Sequence, residues 1–293
     1  MKPRLHVLLS RDGHTGVVLR RGPSAEVAAI GWNRDKDTFA LGQWLRGRIY
    51  ERRSDLSPDG QHLIYFAMNG HWKSRAKGAW TAVSIAPYLT AIALFAKGDC
   101  WHGGGLFVDN HTYWLNDGYG HETLETTTAV TRAAAPPPYA VGYGGECPGV
   151  YFNRLHRDGW TMRHELTDTK QDVFEIPLAH GWVLRKVARA RSGPPPGKGV
   201  YFDEHELVHV ASGRELMRHA WEWASPDAGR LVWAEGGALW AGKISKSSAG
   251  DEDPVTAVRC LRDFSAIKFE GIVAPYAKQT PRASPRKKRK PER

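Results

Sequence analysis

Cysteine is scarce in this chain: Cys100, Cys147 and Cys260 are the only three in 293 residues, and they are widely spaced. They make neither a Cys-x-x-Cys ligand pair nor a disulfide ladder, which points to a reducing compartment and to no metal site. Long hydrophobic runs are missing too. The apolar stretch from Leu5 to Leu9 is broken by His6 and too short for a signal h-region, and no later stretch approaches a membrane span. The expectation is a soluble, cytoplasmic protein with no membrane partner. Long Ala/Leu/Glu/Lys stretches are almost absent, so helices are not the expected building block. Catalytic signatures are equally thin. There is no Gly-x-Ser-x-Gly elbow, no local Cys/His nucleophile motif and no Gly-Lys-Ser/Thr phosphate loop, and no cofactor is expected.

What is plentiful is turn and strand chemistry: 31 glycines, 18 prolines and 12 tryptophans. Ser57-Pro58-Asp59-Gly60 runs straight into the apolar segment His62 to Ala67. Ser225-Pro226-Asp227-Ala228-Gly229 runs into Arg230 to Ala234, and Ser10-Arg11-Asp12-Gly13 into Gly16 to Leu19. Proline presets φ, aspartate bonds the local backbone and glycine accepts positive φ, so each phrase is a tight strand-to-strand turn. Units opened this way begin near Leu5, Arg53, Cys100, Tyr139, Trp182 and Trp221, at intervals of about 35 to 50 residues, the length of a four-stranded propeller blade. Within the fourth unit the pattern predicts strands at Val150–Asn153, Trp160–His164 and Val173–Ile176, with a hairpin turn at His156-Arg157-Asp158-Gly159. In the sixth, Leu231–Ala234 and Ala238–Ala241 flank a glycine turn. The expected fold is an all-β propeller of six blades over residues 1–277, or of five if the fifth and sixth units merge. A β-sandwich or two smaller β domains is the competing architecture.

The segment Leu56-Ser57-Pro58-Asp59-Gly60-Gln61-His62-Leu63-Ile64-Tyr65 resembles the bacterial WD40-like propeller repeat of the TolB C-terminal domain. Two units carry this resemblance well, the one at Ser10 moderately, and the other three in spacing only. It implies architecture and not activity. The secretory signal and α/β domain that accompany the repeat in TolB are not seen, so a periplasmic role is not implied. The Trp-Asp dipeptide and structural histidine of eukaryotic WD40 repeats are also missing.

Several constellations bear chemistry. Trp72, Trp80, Trp101 and His102, beside Gly103-Gly104-Gly105, are the candidate ligand or partner contacts, since indole faces stack on sugars, bases or cations; blade packing is the competing role. His205-Glu206-Leu207-Val208-His209 fits the His-Glu-x-x-His zinc pattern by letter. Its neighbours read as hairpin, however, and positions four apart on a strand lie too far apart for one ion, so a solvated hairpin edge is expected. Asp55, Glu146 and Glu222 are the acids that a glycosidase would have to bring face to face. Pro136-Pro137-Pro138 and Ser192 to Pro196 read as stiff connections.

Net charge is +10, yet residues 278–293 carry eight Lys/Arg against Glu292, leaving 33 basic and 30 acidic side chains before them. The tail is expected to be disordered, with Arg282, Arg286, Lys287, Lys288, Arg289, Lys290 and Arg293 placed to contact nucleic acid or an acidic partner. Together these features point to a non-catalytic binding or scaffold module that engages another protein within a larger assembly. The alternative is a carbohydrate-directed propeller, lectin or glycoside hydrolase, using the tryptophan-rich cluster.

Overall fold

A computed structural model describes residues 2–22, 25–118, 120–143, 146–163, 171–194, 198–246 and 252–277. The described residues form five sheets, antiparallel except for one short pair in the third, and none is closed into a barrel. The first holds β1 (Arg4–Leu9), β2 (Thr15–Arg21), β3 (Glu26–Asn33) and β4 (Thr38–Arg46) in sequence order. The second runs from β5 (Arg48–Leu56) through β6 (His62–Met68) and β7 (Ala79–Ile85) to β8 (Ala91–Ala96). The third is small: β9 (Gly105–Phe107) pairs with β10 (Thr112–Leu115). Next, β11 (Glu122–Glu125) returns to the edge of the second sheet, and β12 (Thr131–Arg132) joins β10 in parallel. One helix follows, α1 (Pro148–Arg157).

The fourth sheet holds β13 (Thr161–Met162), β14 (Gln171–Pro177), β15 (Trp182–Ala190), β16 (Tyr201–His209) and β17 (Arg214–Met217). The fifth holds β18 (Trp221–Asp227), β19 (Arg230–Glu235), β20 (Ala238–Ile244) and β21 (Val255–Asp263).

Two expectations are corrected here. Val150–Asn153 is not a strand but part of α1, with Pro148 in its first turn, where a missing N–H costs nothing. His156-Arg157-Asp158-Gly159 is therefore the helix terminus and not a hairpin turn. Gly159 sits at φ 90°, its N–H bonds His156 O at 3.1 Å, and Trp160 N bonds Leu155 O at 2.9 Å, which is a Schellman ending. Second, the predicted fourth and fifth units are one sheet, because β14 and β15 pair continuously from Gln171↔Arg189 to Pro177↔Val183. The described residues thus give five sheets where the spacing predicts six units, and the merger is not between the fifth and sixth.

Period-2 alternation explains how the sheets stack. On β6, Leu63, Tyr65 and Ala67 face a core shared with Leu8, Val17 and Leu19 of the first sheet, while Ile64 faces Phe107 and Tyr113 of the third. On β2, Val18 turns the other way, into a core with Val232 and Ala234 of the fifth sheet. Leu231 and Trp233 of that sheet pack with Phe174, Trp182 and Leu184 of the fourth, and Tyr151, Phe152 and Leu155 of α1 complete the same cluster. The order of layers is fourth, fifth, first, second, third, and α1 joins the ends by packing on β5, β9 and β13.

The Ser-Pro-Asp-Gly turns fall side by side along one rim. Asp12 N bonds Pro58 O at 3.0 Å, Asp59 N bonds Asn110 Oδ1 at 3.0 Å, and Arg34 joins Ser10 O (2.8 Å) to the Asp227 carboxylate. No helix among the described residues is long and apolar enough to cross a membrane.

Candidate functional site

The predicted aromatic cluster is divided by the fold. Trp80, on β7, is taken into the core between the first and second sheets. Trp72 and Trp101 remain exposed, at 53% and 60%, and Trp72 lies over Gly78, where a Cβ would come within 2.6 Å of its ring. His102 adopts φ 58° with its ring against Gly118. The glycine loop beside it is clamped from below. Arg53, fully buried between the rings of Tyr50 and Phe66, donates to Cys100 O and His102 O at 2.6 Å each and pairs with Glu146.

Thr81 Oγ1, His121 Nε2 (3.2 Å), His121 Nδ1 and Asp117 Oδ1 (2.6 Å) line up in the order of a nucleophile, base and orienting acid. The hydroxyl is wholly buried and accepts Gly104 N–H at 2.9 Å, so it holds the loop.

The three candidate acids do not converge. Asp55 is gripped by both Arg157 Nη1 and Nη2 at 2.6 and 2.9 Å and also accepts Phe107 N–H at 2.8 Å. Glu146 is spent on Arg53, and Glu222 accepts Leu5 N–H at 2.8 Å in a different cavity from Asp55. His205 and His209 lie on β16, an inner strand of the fourth sheet, and the solvated edge expected for them is corrected: His205 is fully buried. His209 instead meets Ser212 Oγ at 2.8 Å and the ring of Trp182. Among the described residues no three His, Cys, Asp or Glu side chains are placed to hold a metal. The cysteines are unpaired. The tail residues Arg282, Arg286, Lys287, Lys288, Arg289, Lys290 and Arg293 lie outside the described residues.

What the fold does assemble is a buried charged cluster where β1, β5, α1, β15 and β16 approach one another. Asp203 of β16 accepts Arg52 Nη2 at 2.7 Å and the Tyr151 hydroxyl at 2.6 Å. Burial alone would raise its pKa, but Arg52 and then Lys186 hold it well below the ordinary carboxylate range. Arg154 of α1 donates to Ser54 O and to Glu51 O (3.3 Å). It also bonds His6 Nε2 at 3.2 Å, and since a guanidinium only donates, His6 must be neutral there. Burial first and Arg154 second depress His6 to about 3, in agreement. His205 is likewise held near 3 by burial and then by Lys186, against the opposing pull of Asp203.

Lys186 occupies the same face of β15 as Trp182, Leu184 and Ala188, all buried. Its ammonium stands 4.4 Å from the Trp160 ring and 5.8 Å from Tyr151. Burial lowers it to about 8; Asp203 opposes the shift, while Arg154 and Arg52 add to it. Above this cluster opens a cavity of about 480 Å³, lined by Lys186, Arg154, Arg157 and Asp158 below and by Arg11, Arg34, Ser225 and Pro226 at the turn rim. Its apolar wall is Val7, Leu9, Leu155, Trp160, Ile176 and Trp223. His6 also lines a second cavity of about 30 Å³ with Arg4, Arg21, Glu51 and Glu222, so the two lie back to back.

None of the cavity's floor was singled out by motif. A signal was nevertheless present, in Lys186 and His205 standing at apolar-face positions of otherwise alternating strands.

No family model and no curated protein matches this sequence. Among solved structures, an uncharacterized protein from Listeria monocytogenes EGD-e is similar over 82% of this chain and 62% of its own, with 7% identity and a TM-score of 0.25. The chain therefore spans less than two thirds of that protein's length.

Proposed function

We propose that the five sheets are blades of a propeller and that the chain is a non-catalytic binding module, engaging a partner protein through the cavity at the turn rim. The observation that carries this reading is the cavity itself: about 480 Å³, cationic on its floor, apolar along one wall and open beside a row of tight turns. Rigid sheets that present loops at one rim are a common basis for binding. Turn-rim Arg11 is an anchor of the kind protein interfaces favour. The partner would offer an acidic group to the cavity, and the basic tail would add salt-sensitive contact to nucleic acid or another acidic surface.

Catalysis draws little support, because each candidate acid is neutralised or bonded by a neighbour and the Thr81 hydroxyl is sealed. The carbohydrate reading rests on Trp72 and Trp101, which line neither of the two cavities described above. Quantitative affinity capture, comparing the full chain with Arg11→Glu and with a chain ending at residue 277, is the test. Partners lost with Arg11→Glu but kept on tail deletion are expected. Equal capture by all three proteins would remove the cavity from the function.

A further inference from the structure

We infer that the cavity floor is a binding site for a carboxylate carried on an apolar body, with Lys186 and Arg154 receiving the carboxylate and Trp160, Trp223, Leu155 and Ile176 enclosing the body. This deepens the binding reading above and rests on it. The argument is one of unbalanced charge. Buried cations are normally paired, because desolvation of an isolated charge is costly. Arg52 has Asp203, Arg53 has Glu146, Arg157 has Asp55 and Arg34 has Asp227. Lys186 is 2% exposed and Arg154 6%, yet among the described residues neither has a carboxylate within ion-pair distance. Among the described residues Arg154 donates to two carbonyls and a neutral imidazole and lies over the Tyr151 ring, and the ammonium of Lys186 contacts aromatic faces.

Both open into the same cavity, so an anion entering it meets two desolvated charges that are already positioned. Asp158 and Asp55 on the same lining set a limit, since their carboxylates, both bonded to Arg157, disfavour a doubly charged guest. The wall chemistry specifies the remainder: its apolar side chains suit an alkyl or aryl body and offer little to a sugar or a free phosphate. A small organic acid and the carboxylate of a peptide share this chemistry.

The first test is calorimetric titration of the full chain with 3-phenylpropionate, its neutral amide, inorganic phosphate and a peptide ending in phenylalanine. The acid is expected to bind, with the amide at least about tenfold weaker, the loss of one charge-assisted hydrogen bond. Lys186→Met should weaken the acid by a similar factor with an unchanged circular dichroism spectrum, and Lys186→Arg should restore part of it. Affinity of the unmodified protein should also fall as pH rises through about 8, and Lys186→Met should abolish that dependence. The groups facing this ammonium are Asp203 and His205 from β16, Arg52 from β5, His6 from β1, and Arg154, Tyr151 and Asp158 from α1. The two histidines, held near 3, do not titrate in that window.

Preference for the peptide over the small acid identifies a protein terminus as the source, and the reverse order identifies a metabolite; either supports the site. Equal affinity for acid and amide, tighter binding of phosphate, or no effect of Lys186→Met overturns it. Should 3-phenylpropionate and the peptide both fail while partner capture still depends on Arg11, this inference falls and the binding reading stands.

Discussion

In the first sheet, four strands of six to nine residues hold one another by long backbone ladders, with one register shift at Ala29/Ile30. In the third, strands of three, four and two residues leave most of the backbone without a ladder partner. Side chains from the neighbouring sheet do that work instead. Asp55 receives Phe107 N–H, Thr81 receives Gly104 N–H, and Arg53 caps Cys100 O and His102 O. Regular ladders satisfy the backbone locally and leave side chains free to be apolar. Short ladders require buried polar groups, and those groups must be paired in turn. The buried charged groups are the consequence: Arg53 needs Glu146, Asp55 needs Arg157, and the cavity opens where this accounting ends with Lys186 and Arg154.

The comparison breaks most visibly at Arg53. Arg53→Met removes both carbonyl caps and strands Glu146, so a loss of about 3 to 5 kcal/mol is expected, the usual consequence of breaking a buried pair. Urea denaturation measures it. A change below about 1 kcal/mol would mean that the glycine loop is held by its own turns and that the side-chain clamp is incidental.

Proton uptake sharpens the contrast, since side chains titrate and ladders do not. His6 and His205 sit near 3 in the fold and near 6.5 when unfolded. Their folded pKa is the lower, so the unfolded chain binds more protons in that interval and stability is lost as pH falls below about 6.5. Between pH 6.5 and 5 the loss is about 1.6 kcal/mol for each histidine. His205→Leu should remove close to half of it, read from urea midpoints at the two pH values. A pH-independent midpoint over that range would show that these imidazoles carry protons in the native state.

The same contrast explains what was legible. Turn chemistry is local, so the phrases at Ser10 and Ser57 could be placed from sequence as connections between the first two strands of a sheet; Ser225-Pro226-Asp227 is instead the end of β18, paired with Arg230 to Val232 of β19, and the turn is Ala228-Gly229 alone. Equal letters did not mean equal roles, however: Asp59 caps its own turn through Ser57 Oγ and Gln61 N, whereas Asp227 reaches Arg34 and Arg230. Val150-Tyr151-Phe152 is too short a run for periodicity to separate strand from helix, and Pro148 opens a helix as readily as it closes a turn. Trp182 begins a strand but not a sheet, because only pairing with β14 settles that, and pairing is not written in one strand. The cavity was hidden for a related reason. Its cations come from separate elements, and that Lys186 makes no ion pair among the described residues becomes visible only once Asp203 is found bonded to Arg52.

The smallest effect lies within the turns and separates conformation from crowding. Gly13 and Gly60 occupy corresponding positions, at φ 91° and 73°. A Cβ on Gly13 would meet nothing within 4 Å, whereas one on Gly60 would fall 1.9 Å from Thr15 Oγ1, on the neighbouring sheet's turn. Gly13→Ala therefore carries only the cost of left-handed backbone, about 1 kcal/mol. Gly60→Ala adds displacement of Thr15 and is expected to cost about 1 kcal/mol more, within the range for overpacking. Thermal midpoints of the two variants should differ in that order. If they coincide, the turns of the first two sheets do not press on each other, and the rim is looser than Asp12 N to Pro58 O implies.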